Sequence, residues 1–213
     1  MNGTLTTDWR KDTLLFAKPH ERLCLIARLL AEQPQRRLLD VGCSTGILGS
    51  LLPPDFDYHG CDMADYAAAV LGPERFRTVD LNGEGLSALS DWEIDAISMS
   101  GVLEYMHDPG RILRQARERV AAGSLLVASL LNFQSGRWSK VGRCHPTTVY
   151  KPSLEEFREL LSRCGWQVTR QVPFLPAQKW RRKWRLLLAR WLGVDHWWTR
   201  RTCWQFILVA TAV

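Results

Sequence analysis

Leu38-Leu39-Asp40-Val41-Gly42-Cys43-Ser44-Thr45-Gly46 decides how this 213-residue chain is read. Its first half is apolar with one acid, the composition of a short buried strand, expected over 37–41. Its second half carries Gly42 and Gly46, which tolerate tight turns and let a bulky ligand approach the main chain. A helix is expected to begin near Thr45 and to stop before Pro53-Pro54, which cannot continue it. A strand that delivers an acid and then glycines into the head of a helix is a nucleotide-binding layout, with backbone N–H groups left for the ligand. Several classes of nucleotide-binding protein share that layout, so the neighbouring segments must discriminate between them.

Working outward, strand-like runs alternate with helical patterns, the signature of repeated β-α units and a largely parallel sheet. A helix over 22–32 leads in. After the turn come a strand over 58–61 ending on Asp62, a helix over 64–71, a strand over 76–79 ending on Asp80, and a strand over 94–99. Pro109-Gly110 opens a helix to about residue 121, and a strand follows over 124–131. Ser153-Leu154-Glu155-Glu156 has the form of a capping box and starts a helix to residue 163. Strands over 166–174 and 203–213 are expected to pair antiparallel.

Asp62 stands at a strand end 22 residues after Asp40, where a carboxylate can bind the two hydroxyls of a ribose. Each acid alone could be a loop or cap carboxylate. Asp40, Asp62 and Asp80 at three successive strand ends form one ligand-facing edge.

The turn resembles the Asp/Glu-x-Gly-x-Gly-x-Gly loop of class I methyltransferases, with Ser44 where the middle glycine usually stands. Asp95-Ala96-Ile97, followed by Val102-Leu103-Glu104-Tyr105-Met106-His107-Asp108-Pro109, is similar to the D-x-I and V-L-E-H…D-P segment of the small-molecule branch of that family, with Tyr105 in place of the usual His. The resemblance covers roughly residues 36–174. It implies a Rossmann-like α/β fold: a seven-stranded, mostly parallel sheet with helices on both faces and an antiparallel C-terminal strand. It implies S-adenosyl-L-methionine as cofactor, held by Asp40, Gly42, Cys43, Ser44, Gly46, Asp62, Met63, Asp80, Leu81, Ser100, Gly101 and Val102, with Asp80 on the adenine amine. The expected activity is methyl transfer, at oxygen, to a small-molecule or lipid- or glycan-linked acceptor.

Because the cofactor carries the reactive carbon, the protein need only align the acceptor. A hydroxyl acceptor also needs a base, for which His145 and His107 are the candidates and Tyr150 a weaker one. For each His a plain surface or hydrogen-bonding role is the commoner alternative. Two other readings remain. A looser resemblance, through Leu39–Gly46 and the Asn132-Phe133 step, to the methyltransferase-like protein of bacterial methionine biosynthesis implies a non-catalytic partner. RNA methylation is the other, although the Asp/Asn-Pro-Pro-Tyr/Phe motif of base-amino methylation is missing and nucleic acid is disfavoured as a partner.

Length, with 46% hydrophobic and 23% charged residues, fits one packed domain: a lead-in over 1–35, a core over 36–174, an insert over 175–202 and a last strand over 203–213. The six cysteines show no Cys-x-x-Cys pair and no metal-ligand spacing, so free thiols, no metal and a cytoplasmic setting are expected. Neither an export signal nor a spanning segment is read.

The net charge of +6 is concentrated. Residues 175–202 hold eight basic side chains and one acid, a local +7 that leaves the rest at −1, so the chain lacks a general basic surface. The same segment holds five of the ten tryptophans. On a helix Trp180, Trp184, Leu187, Leu188 and Trp191 form one stripe, with arginines and lysines over the remainder. It fits a lid packed on the domain, an interfacial helix over 179–201 lying peripherally on the inner membrane surface, or an RNA contact.

Overall fold

The structure is a computed structural model that describes residues 21–89, 91–134, 148–174 and 203–213. The basic insert, His145 and residues 1–20 of the lead-in lie outside the described residues.

Seven strands form one sheet: β1 (Arg37–Val41), β2 (Asp57–Asp62), β3 (Phe76–Thr78), β4 (Ala96–Met99), β5 (Leu125–Leu131), β6 (Trp166–Phe174) and β7 (Gln205–Ala212). Their order is β3-β2-β1-β4-β5-β7-β6. The first five run parallel, and β7 pairs antiparallel with both β5 and β6, as the sequence led one to expect. The order reverses between β1 and β4. In a doubly wound sheet the crevice beyond the carboxyl ends of such strands is where ligands bind.

Strand periodicity distributes the core. Leu38, Ala96, Leu125, Ile207 and Val209 face one side, where α1 (Glu21–Ala31) buries Leu23, Ile26, Leu29 and Leu30 against them. Leu39, Ile97, Leu126, Leu208 and Ala210 face the other, beneath α3 (Pro109–Glu118) and α4 (Leu154–Arg163). Both faces being covered explains why β1, β4 and β5 read as continuous apolar runs. Phe157 and Leu161 of α4 are fully buried, each contributing about 2 kcal/mol.

Helix starts follow the sequence closely. Asp108 caps α3 by accepting from the Arg111 amide at 2.8 Å, with Pro109 in the first turn. Ser153 and Glu156 form the reciprocal capping box of α4. Between β2 and β3 the helix α2 is shorter than expected, Ala68–Leu71, and Gly72 at φ 72° ends it.

Candidate active site

The turn after β1 departs from expectation. Gly42, Ser44 and Gly46 all adopt positive φ (74°, 51° and 72°), and alternating left-handed residues cannot start an α-helix. Only a 3-10 turn, Gly49–Leu51, forms before Pro53, in place of the helix expected from Thr45. The amides are used internally as well. Gly42 and Cys43 donate to the Cys61 carbonyl at 2.8 and 3.1 Å, and Gly46 donates to the Cys43 carbonyl at 2.9 Å. Ser44 N–H donates to Asp62 Oδ2 at 2.8 Å. These bonds hold Ser44 in a conformation that costs a non-glycine residue roughly 1 kcal/mol.

Asp62 is thereby fixed at the end of β2: Oδ2 takes the Ser44 amide and Oδ1 the Ala64 amide at 3.1 Å. Burial raises its pKa, opposed by these amides. Asp40 is more deeply buried and accepts from the Tyr58 hydroxyl at 2.7 Å; desolvation pushes its carboxyl up to about 6. Burial also raises Cys43 and Cys61, which are therefore protonated thiols at neutral pH.

Beyond β4, Gly101 N–H donates to the buried Ser129 hydroxyl at 2.9 Å, and a 3-10 turn spans Leu103–Tyr105. Glu104 within it is buried, and desolvation pushes its carboxyl up. Its Oε1 accepts from Leu131 N–H at 3.1 Å, and its carbonyl accepts from Val149 and Tyr150 at 3.0 and 3.1 Å. Glu104 thus joins the end of β4 to the end of β5 and to the segment entering α4.

These elements border a cleft of about 860 Å³, counting the space open to solvent at its mouth. Of the expected binding residues, Asp40, Gly42, Cys43, Ser44, Asp62, Ser100, Gly101 and Val102 line it. Gly46, Met63, Asp80 and Leu81 stand outside the lining. Gly46 belongs to the turn, packed near Ala67 and Leu71. Met63 is largely exposed, and Leu81 is in the core beneath α3. Asp80 is exposed and serves its own turn, accepting from Asn82 N–H at 2.9 Å, while Arg111 clamps the carbonyls of Leu81, Asn82 and Gly83.

His107 lines a different cleft, beside Arg114, Tyr150 and Glu156, and its backbone N–H donates to Asn82 Oδ1 at 2.9 Å. Among the described residues no cluster of three or more His, Cys, Asp or Glu is placed to hold a metal. Nor is any helix among them long and apolar enough to cross a membrane.

Six lining residues were not named as cofactor ligands from the sequence: Arg22, Leu23, Ile47, Leu48, Tyr66 and Tyr105. Arg22 had a legible signal. It sits on the same helical stripe as Ile26 and Leu29, at i, i+4 and i+7, so a cation occupies a face that is otherwise buried.

The family described as a methyltransferase domain matches residues 17–171. No curated protein sequence matches the chain. Among solved structures, an S-adenosylmethionine-dependent methyltransferase from Archaeoglobus fulgidus is similar with a TM-score of 0.67 at 16% identity, over 96% of this chain and 100% of that one. A chain from the complex of the Haloferax volcanii Trm112 methyltransferase activator gives 0.67 at 19% identity, over 96% and 94%. The Burkholderia thailandensis 1,6-didemethyltoxoflavin-N1-methyltransferase, with 1,6-didemethyltoxoflavin and S-adenosylhomocysteine bound, gives 0.63 at 12% identity, over 96% and 84%. At these identities the likeness is one of fold.

Proposed function

The chain belongs to the methyltransferase-domain family, the class I Rossmann-like enzymes that take a methyl group from S-adenosylmethionine, and on that premise we propose that its acceptor is a small organic molecule, free or carried on a lipid or glycan, methylated at oxygen. The observation that carries this reading is the cleft itself. Asp62, Gly42 and the Ser100–Val102 loop gather at one sheet edge, and Tyr66, Tyr105 and Ile47 add aromatic and apolar wall, a lining suited to a compact organic ligand.

The residues present fit the cofactor. Asp62 has each oxygen engaged by one amide and keeps lone pairs for a ribose diol. Gly42 lets the turn pack directly on Val102 at the cleft wall, since a Cβ there would stand 2.8 Å from Val102 Cγ2. The Ser100 hydroxyl is buried without a partner.

When bound, the cofactor supplies an electrophilic methyl on sulfur. The chain's part is to hold the nucleoside at Asp62, to exclude water behind Val102, and to seat the acceptor in line with the methyl. An oxygen acceptor must also lose a proton. His107 opens onto another cleft, so His145 is the residue proposed to take it.

The test is transfer of labelled methyl from S-adenosylmethionine into cell extract separated into small-molecule, lipid, protein and RNA fractions. Label in the small-molecule or lipid fraction as a methyl ether or ester supports the reading, and His145→Asn should slow transfer without weakening cofactor binding. Label confined to RNA or protein would overturn it.

A further inference from the structure

The second cleft, onto which His107 opens, runs between α3 and α4 and is ringed by Arg114, Lys151 and Arg163. Gly110 lets the two helices close at its base, since a Cβ there would stand 3.3 Å from Leu160 Cδ1 and 3.1 Å from Arg114 Nη1. Two carboxylates share the lining, and helix caps already engage both. Asp108 accepts from the Arg111 amide at 2.8 Å and reaches Arg114 only at 3.9 Å, an exposed pair of little strength. Glu156 accepts from the Ser153 amide at 2.7 Å, and that bond holds its carboxyl below the usual range. Lys151 and Arg163 make no ion pair among the described residues. Tyr150 adds a half-buried phenol; burial, then the Glu156 charge, push it up to about 12, so it stays a neutral donor.

The three cations come from different places: the middle of α3, the segment entering α4 and the end of α4. Together they present no single flat fork. They suit a tetrahedral anion with several oxygens, with Lys151 as a point charge between two guanidinium groups. The cleft also neighbours the cofactor site. Tyr105 lines that site and His107 this one, and two residues of chain span at most about 7 Å. Val149 and Tyr150 bond the Glu104 carbonyl, which holds the entry to α4 at the end of β4, beside both clefts. A single small acceptor can therefore place one atom in the first cleft and an anionic group in the second.

We propose that Arg114, Lys151 and Arg163 seat a phosphate group of the acceptor in the α3–α4 cleft while the atom to be methylated enters the cofactor cleft. Resting on the small-acceptor reading above, this assignment narrows it to phosphorylated molecules, either free or carried through phosphate on a lipid. The three cations are specificity residues for acceptor binding and take no part in moving the methyl group.

The test is methyl transfer into the small-molecule and lipid fractions at saturating S-adenosylmethionine, with the unmodified chain and with the double variant Lys151→Gln/Arg163→Gln. The KM for acceptor, read as the dilution of the fraction that gives half the maximal rate, should rise about 10-fold in the double variant. Both kcat and S-adenosylhomocysteine affinity should stay within about twofold, the pattern of contacts made equally in ground and transition states. Lys151→Arg/Arg163→Lys, which keeps both charges, should recover most of the loss. Alkaline phosphatase on the soluble fraction, or mild acid to cleave carrier phosphates in the lipid fraction, should remove the acceptor, and the treatment that does so separates the two sources. Transfer undiminished after phosphate removal would overturn the proposal without need of any variant. So would an unmoved KM in the double variant, or a loss of S-adenosylhomocysteine affinity equal to the loss for acceptor, which would make the cations structural. Label in neither fraction would sink the small-acceptor reading and this inference with it, whereas label there that ignores phosphate would sink this inference alone.

Discussion

Tyr58 donates its hydroxyl to Asp40 at 2.7 Å, across the pairing of β2 with β1, with both residues buried. The bond favours ionised Asp40, but desolvation is the larger effect and leaves its carboxyl at about 6. A folded-state pKa above the unfolded value of 3.8 means stability that is present below pH ~4 and lost as pH rises through ~6. Asp40→Asn removes that titration and keeps an acceptor for Tyr58. Between pH 4 and 7 the ligand-free protein should therefore lose up to about 3 kcal/mol relative to the variant. Parallel denaturant melts would check this, and a gap that does not change with pH would contradict it.

Asp62 holds two amides and faces the cleft, so Asp62→Asn should act on fold and ligand together. The new amide must turn its NH2 toward either Ser44 N–H or Ala64 N–H, at a cost of about 1–3 kcal/mol. Affinity for S-adenosylhomocysteine should drop at least ~10-fold with the lost carboxylate. Thermal melts and calorimetry on the same sample read both effects.

Gly42→Ala and Gly72→Ala share a positive φ and differ in their surroundings. At Gly42 a Cβ meets Val102 at 2.8 and 2.9 Å, whereas at Gly72 nothing lies within 4 Å. Gly72, at φ 72° and ψ 169°, lies in a region essentially reserved to glycine, so Gly72→Ala should cost about 1–3 kcal/mol from backbone strain alone. Gly42→Ala should cost about 1–3 kcal/mol more than that, because crowding against Val102 adds to its own strain, and should also weaken cofactor binding. Equal melting points for the two variants would show that the Val102 contact is not tight.

Ser153→Ala isolates a helix cap. Losing the bond to Glu156 N–H should lower stability by about 1 kcal/mol and leave S-adenosylhomocysteine affinity unchanged, since α4 lies on the sheet face away from α1 and outside the cleft lining.

That cap was legible because its signal is local: Ser153 and Glu156 are three residues apart and need nothing else. The strands were legible for a similar reason, since burial on both faces writes itself as apolar runs such as Arg37–Val41 and Leu125–Leu131. The turn after β1 was only half legible. Gly42 and Gly46 marked it, but the inward use of its amides depends on Cys61 and Asp62, which reach it through the β1–β2 pairing. At Asp80 only the position was legible. A strand end places the residue at the sheet edge, while the bond its Oδ1 accepts from Asn82 N–H and the Arg111 clamp on the Leu81 carbonyl belong to a turn that no local motif announces. Arg22 lay outside every motif, and only its place on a buried stripe betrayed it.

The central claim, that the cleft at Asp62 is an S-adenosylmethionine site, is tested most directly by titrating the protein with S-adenosylhomocysteine and, separately, with NAD, using Asp62→Ala as the site control. Saturable 1:1 binding of S-adenosylhomocysteine that Asp62→Ala abolishes, with no heat from NAD, is the predicted result. Binding of NAD with none of S-adenosylhomocysteine, or S-adenosylhomocysteine binding that survives Asp62→Ala undiminished, would contradict it.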